Sequence, residues 1–392
     1  MDPDKALMPQ QPGTPACNVL MQPKVPAFAT GQSDLPVRLV KLQEPELSAS
    51  GWDRMVAELS GNFLHGFAWS RFIAKKRATP HYVVIQAAGR PIAAAWYLLS
   101  GKKAGPLNLI THMHLETLPC FDPRYISASA VFRELQAHAK RECCITLSFG
   151  NSAQDHLPAG IPCRLNEKIN FAIDLRPGTA TLLANLHEKH RSRVRKAART
   201  GVRVAVYDSG DALSLVDNLN TMFLHSLSRH LSAGKERDPR EETPMTDVVT
   251  ELVAAGHAVL FVAFFENVPV SCYAAATFNN EAHLLYGASS GKGYELNASF
   301  AAVWRMVEYF KERGHRAMSL GSVVRTAENS THPDHGLYRF KAGFGGEATV
   351  LCSGTLVLRP GLAAVLAGFG RMKAAARNTA LRLNRPAERE RA

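Results

Sequence analysis

Lys341 is the residue whose surroundings call most directly for chemistry. It stands in the run Gly336-Leu337-Tyr338-Arg339-Phe340-Lys341-Ala342-Gly343-Phe344, so a cation is placed among residues that favour a core. Burying an ammonium group without a partner is costly. Either the charge acts on a bound ligand, or a structural ion pair, such as one with Glu347, neutralises it. Arg339, two residues earlier, would point to the opposite side of an extended segment, there to meet a phosphate or solvent. A second concentration of charge is Lys189, Arg191, Arg193, Arg195, Lys196 and Arg199, against the single acid Glu188. These cations lack acidic partners at helical spacing. They form either an anion-binding face, with Arg193, Arg195 and Lys196 as contacts, or a solvated one. Leu186, Val194 and Ala197 mark the buried stripe of the same helix. Tyr286, at a strand end before Gly287, and Tyr338 either line a ligand slot or belong to the core. Asn297 and Ser299 open a long helix, where unpaired backbone N–H groups attract anions. Simple N-capping explains Asn297 equally well.

Other chemistries are set aside. The pair His332 and His335 in Thr331-His332-Pro333-Asp334-His335 has a spacing a metal site could use, but its composition is that of a polar connector. No G-x-S-x-G elbow is present, and Cys143-Cys144 has apolar neighbours, so a serine or cysteine hydrolase is not expected. The cysteines, seven in all, include no C-x-x-C pair and read as reduced thiols of a cytoplasmic protein. The start MDPDKALMPQ has no signal-peptide core, and the longest apolar run, Ala258 to Phe265, is too short to span a membrane.

These residues must be positioned by a sizeable fold. A chain of 392 residues, 46% of them hydrophobic, favours two domains over one. Its net charge of +12 raises the local concentration of anions and favours phosphate-bearing partners. Residues 1–34, with Pro3, Pro9, Pro12, Pro15, Pro23 and Pro26, show no hydrophobic period and read as a tail. Residues 35–165 mix strand-like runs (82–85, 92–99) with helical ones (52–59, 128–140). Residues 166–349 repeat that grammar: a strand at 171–175, a single helix over 179–199 ended by Gly201, and a strand at 202–206. A helix over 213–230, a charged loop at 235–240 and a helix over 246–255 follow. Strands at 258–265, 270–278 and 282–286 come next, then a long helix over 298–313 between Asn297 and Gly314, and a strand at 316–320. Residues 350–360 hold a strand that should return to the first domain. Residues 361–392 form a basic tail with apolar Leu366, Phe369 and Leu381, which suits an anionic membrane surface, a tRNA-binding arm or plain disorder.

Two motifs carry a family resemblance. His190-Arg191-Ser192-Arg193-Val194-Arg195-Lys196-Ala197-Ala198-Arg199-Thr200-Gly201-Val202 resembles the R-x-x-I-R-K-A-x-x-x-G-V helix of Fem-type peptidoglycan aminoacyltransferases and BioF2-like acyltransferases. Residues Gly336 to Glu347 resemble their G-L-Y-x-F-K-x-G-F-G-G signature. Phe63-Leu64-His65-Gly66-Phe67-Ala68-Trp69 and Gly105-Pro106 add a weaker likeness in the first half. The resemblance implies an α/β fold with mixed sheets, built as two tandem GNAT-like acyltransferase domains. It further implies amide formation, an acceptor held by the first domain and at the seam, and a donor held by the second. Lys341 then matches the lysine that stabilises the oxyanion of the tetrahedral intermediate. The donor implied is aminoacyl-tRNA for Fem-type relatives and an acyl thioester for BioF2-like ones, with no bound cofactor. The acceptor is the amine of a small molecule or cell-envelope precursor, and the location is the cytoplasm or the inner face of the membrane. The segment Gly287 to Gly293 does not match the R-x-x-G-x-G/A loop of ordinary GNAT enzymes, which argues against acetyl-coenzyme A. A non-catalytic nucleic-acid-binding protein would explain the charge but not the setting of Lys341.

Overall fold

A computed structural model describes residues 37–365 apart from 44–47, 78, 105–106, 159, 162, 164 and 233–244. The proline-rich tail, the charged loop at 235–240, Gly105-Pro106 and most of the basic C-terminal segment therefore lie outside the described residues. The first half runs β1 (Val37–Leu42), α1 (Ala49–Glu58), α2 (Phe67–Arg77), β2 (Pro80–Ala87), β3 (Arg90–Ala104), β4 (Leu107–Leu115), β5 (Cys120–Phe121), α3 (Ala128–Arg141) and β6 (Cys144–Ala153). The second half begins with β7 (Leu165–Asp174), α4 (Thr179–Asn185), α5 (Glu188–Arg199), β8 (Arg203–Tyr207), α6 (Val216–Ser232) and α7 (Met245–Val248). It continues through β9 (Ala258–Phe265), β10 (Val268–Phe278), β11 (Glu281–Ser289), α8 (Gly291–Glu295) and α9 (Ala298–Glu312). It ends with β12 (Ala317–Val324), α10 (His335–Ala342) and β13 (Glu347–Val357).

All strands join one 13-stranded mixed sheet, whose main path is β1-β2-β3-β4-β6-β13-β7-β12-β11-β10-β9-β8. β13 lies between β6 and β7 and is antiparallel to both, so the last strand bonds the two halves along their whole seam. Two neighbouring pairs are parallel, β4 with β6 and β11 with β12. On one face of the second half, α9 and the stripe Leu182, Leu186, Val194 and Ala197 from α4 and α5 cover Phe261, Ala275 and Met318. The other face packs α6 and residues 248–253 on β9 and β10, and Phe72 of α2 joins that cluster from the first half.

Two expectations need correction. The helix expected over 179–199 is two helices. Leu186 is extended (φ −63, ψ 142) and His187 restarts the helix, its ring Nδ1 accepting from the Lys189 N–H. The break is imposed from far away, because the His187 N–H donates to the Gly343 carbonyl at 2.9 Å. The segment 335–342, treated above as extended for Arg339, is helical, so Arg339 and Lys341 diverge by the helical rather than the strand period.

The motif Phe63 to Trp69 is a structural knot. Trp52 Nε1–H donates to the His65 carbonyl at 2.8 Å, and Trp96 Nε1–H to the Leu64 carbonyl at 2.7 Å. His65 itself accepts the Asn62 N–H on Nδ1 and donates from Nε2 to the Leu118 carbonyl. Both ring nitrogens are therefore committed to the neutral form, and burial depresses the pKa to about 4. The folded state stays neutral between the ordinary value of 6.5 and that value, whereas the unfolded chain binds a proton. Stability is therefore full above pH 6.5 and falls by up to about 3 kcal/mol as pH drops to 4. Urea midpoints measured across this range should show the decline, and His65→Gln should flatten it; equal slopes for both proteins would refute the assignment.

Candidate active site

β11 and β12 run parallel for three residue pairs, Glu281 with Ala317, Ala282 with Met318 and His283 with Ser319, and then part. On its other side β12 loses register with β7 between Ser319 and Ser322. Gly321 sits inside that irregularity at φ +73, a conformation that side chains rarely adopt. The parted strands open a cavity of about 1060 Å³. Its floor is the strand edge from Leu284 to Ala288 with Leu320 and Tyr273, and its walls are α5, the start of α9 and α10.

Lys341 reaches this opening from α10. It is 9% exposed, and its Nζ–H donates to the Ser322 carbonyl at 3.1 Å, immediately past the parting of the strands. A Cβ at position 321 would lie 3.2 Å from the same nitrogen, so glycine leaves the ammonium its place. The hydrogen bond of Lys341 to Ser322 is to a backbone carbonyl, and Glu347 Oε2 is buried without a hydrogen-bond partner.

The other expected residues divide. Arg193 lines the cavity and lies over the Phe300 ring at 4.8 Å; Arg339 lines it too, exposed at the rim. Lys189, one turn before Arg193 and part of the basic face though not among its expected contacts, lines the cavity as well. Arg195 and Lys196 are exposed on α5 but do not line the cavity. No Asp or Glu is among the described lining residues, so every formally charged lining group is positive. Tyr286 lines the cavity with its ring half buried against the α6 side of the sheet. Tyr338 lines it while packing edge-on to Phe171 at 5.5 Å, and burial raises its phenol pKa, with Glu328 adding to the effect.

Asn297 occupies the cap position of α9 but does not cap it: its backbone is left-handed (φ 58, ψ 29) and its side chain makes no cap hydrogen bond. Ser290 caps instead, at the short helix α8, where it accepts the Gly293 N–H. The start of α9 thus faces the cavity through Asn297 and Ser299 without a side-chain cap. Ser299 is buried and tied into a hydroxyl cluster, 2.7 Å from Ser289, itself 2.7 Å from Ser271, with Tyr273 bonded to the same group. Burial pushes the Tyr273 phenol well above its ordinary value, so it serves as a neutral hydrogen-bonding group. Among the described residues no group of His, Cys, Asp and Glu could hold a metal ion, and His332 and His335 bond locally, to Asp334 N–H and the Ala327 carbonyl.

This arrangement can hold an anionic ligand along α5 and α9 and present its carbonyl to Lys341. Lys189→Ala and Arg193→Ala should each weaken binding of tripolyphosphate by about 5-fold, the scale of one partly exposed charge contact, whereas Arg195→Ala should change it little. Calorimetric titration at low salt checks this, and equal losses at all three positions would mean that the helix acts only through its total charge.

Comparison with known proteins agrees with this geometry. Residues 184–341 match the acetyltransferase (GNAT) domain family, a span that includes both the basic helix and Lys341. No curated protein matches the chain in sequence. Among solved structures, FemX superposes with a TM-score of 0.63 at 14% identity, covering 83% of this chain and 99% of that one. The structure of L-PGS from Bacillus licheniformis gives 0.52 at 14% identity, covering 78% and 91%. The C-terminal domain of a protein described as a lysylphosphatidylglycerol synthetase from Agrobacterium fabrum gives 0.51 at 16%, covering 82% and 95%. The chain thus carries a Fem-like GNAT fold, with an acyltransferase domain over residues 184–341.

Proposed function

We propose that this acyltransferase joins an aminoacyl group from aminoacyl-tRNA to the amine of a cell-envelope precursor or similar small acceptor. The observation that carries the reading is Lys341, its ammonium set at the parting of β11 and β12 in a cavity whose charged lining, among the described residues, is cationic. The amine attacks the donor ester carbonyl, a tetrahedral oxyanion forms, and the carbon–oxygen bond to the leaving ribose hydroxyl breaks. The proton lost by the amine passes to that oxygen, directly or through water. Lys341 is within the region where the oxyanion develops, and charge stabilised only there lowers the barrier. Arg195, Lys196 and Arg199 continue the basic face of α5 beyond the cavity, exposed. A donor confined to the cavity would not touch them, whereas a macromolecular polyanion would. Similarity in fold to a lysylphosphatidylglycerol synthetase, named for a product that couples lysine to a phospholipid, supports an envelope acceptor.

A second reading rests on the uncapped start of α9, which faces the cavity and suits the phosphates of a nucleotide-tailed acyl thioester. Under that reading the carbon–sulfur bond breaks and the leaving thiol takes the proton. A panel of charged tRNAs and acyl thioesters, with acceptors read by mass spectrometry, separates the two.

Lys341→Met keeps the length and apolar stem and removes the charge. On whichever donor is active, it should lower kcat by about 100-fold with little change in KM. A folded variant with a reduced melting temperature and near-normal kcat would remove Lys341 from the chemistry.

A further inference from the structure

We infer that His190 is the positioning residue that holds Lys341 at the strand opening, an inference that rests on the assignment of Lys341 above. His190 is 6% exposed and belongs to the first turn of the basic helix α5, 151 positions before Lys341 in sequence but against the end of its helix. Its Nε2 lies 3.0 Å from the Phe340 carbonyl oxygen. A carbonyl only accepts, so Nε2 carries the proton and donates. The ring is then neutral at Nδ1, which is buried without a hydrogen-bond partner, and burial lowers the pKa in keeping with that state.

The carbonyl His190 takes is one that α10 cannot satisfy for itself, because the last carbonyls of a helix have no partner within it. Three residues on, the Gly343 carbonyl accepts the His187 N–H at 2.9 Å. Two histidines of the α5 start, three positions apart, thus bind the end of α10 on either side of Lys341. The imidazole is fixed by contact as well as by hydrogen bonding. Phe300 and Phe344 meet it edge-on at 4.9 and 5.1 Å, and a Cβ at Gly343 would come within 2.2 Å of the ring. Any residue but glycine at 343 would push the imidazole away from Phe340.

Rotation or fraying of α10 would swing Lys341 Nζ away from the Ser322 carbonyl, so the alignment of the ammonium depends on the bond that His190 makes to α10. The same helix carries Arg193 over Phe300. The residue that holds Lys341 and the residue that meets an anionic donor are therefore one turn apart on a single rigid element.

Chemical labelling tests this without knowledge of the substrate. Wild-type protein, His190→Leu and His190→Gln are treated briefly with acetic anhydride, and modification of Lys341 is measured by peptide mass spectrometry relative to exposed Lys196. Leucine keeps the apolar packing and removes the donor, whereas glutamine retains an N–H that reaches the same carbonyl. The Lys341 to Lys196 ratio should rise about 10-fold in His190→Leu, the weight of one lost hydrogen bond, and stay within about 3-fold of wild type in His190→Gln. If the leucine variant does not fold by circular dichroism, His190→Met, longer and more pliable, replaces it. An unchanged ratio in a folded variant without the donor overturns the inference. On an active donor the leucine variant should lose kcat at constant KM and the glutamine variant should recover it. Should no donor prove active with the wild type, the function proposed above fails, while the labelling still decides the role of His190.

Discussion

The parting of β11 and β12 is the constraint from which the site follows. Parallel strands that separate leave main-chain donors and acceptors unpaired, and such groups cannot remain buried without partners. Here one of them, the Ser322 carbonyl, is taken by the Lys341 ammonium. The lysine thus serves the backbone of the opened sheet at a place where it also lines the cavity. That bond helps a cation that is 9% exposed to reside among Phe340, Phe344 and Leu337. It also requires a helix to cross the opening, so the chain after β12 turns back through residues 325–334 before α10 begins.

The two motifs far apart in sequence are pieces of one object. The start of α5 binds the end of α10 through His187 and His190, and both helices press on Phe300 at the start of α9. Three helix termini meet over one cavity, and the aromatic cluster of His190, Phe300, Phe340 and Phe344 keeps them in register. Such a cluster gains from edge-to-face contacts beyond the area it buries. With cations projecting from two of these helices and no described acid opposing them, the electrostatic field of the cavity has one sign, and it is set by rigid elements rather than by loops.

What was legible in the sequence was local. The stripe Leu186, Val194 and Ala197 faces the core because helical spacing dictates it, and Gly201 and Gly314 end their helices in the left-handed conformation that glycine allows. Lys341 stood out because a charge in an apolar run has few explanations. What was not legible depended on distant partners. The break at Leu186 and His187 is fixed by a carbonyl at position 343, the partner of Lys341 by an opening between strands, and the conformation of Asn297 by the short helix that precedes it. Arg195 and Lys196 looked equivalent to Arg193 because charge alone does not say which side of a helix meets a cavity. His190 was overlooked for a related reason: a histidine among arginines reads as one more polar residue until the aromatic box around it is seen.

The described residues that line the cavity lie within 187–343, yet the first half bears on it from behind. Phe63 lies 4.5 Å from the ring of His283, the last paired residue of β11 before the strands part, and Trp69 packs edge-on against Phe63. Phe72, one turn further along α2, is buried in the cluster under β10 and β11. On that same side Glu281 is held by Arg316 at 2.9 Å, so the closed end of the strand pair is braced by charge as well as by rings. A strand pair can open sharply only if its closed end is rigid. The turn at Phe63 to His65, tied down by two tryptophan N–H groups and a buried neutral imidazole, supplies that rigidity from the other half of the sheet. The aromatic motif of the first half therefore packs behind the closed end of the β11–β12 pair, beyond which the strands part and Lys341 meets the Ser322 carbonyl.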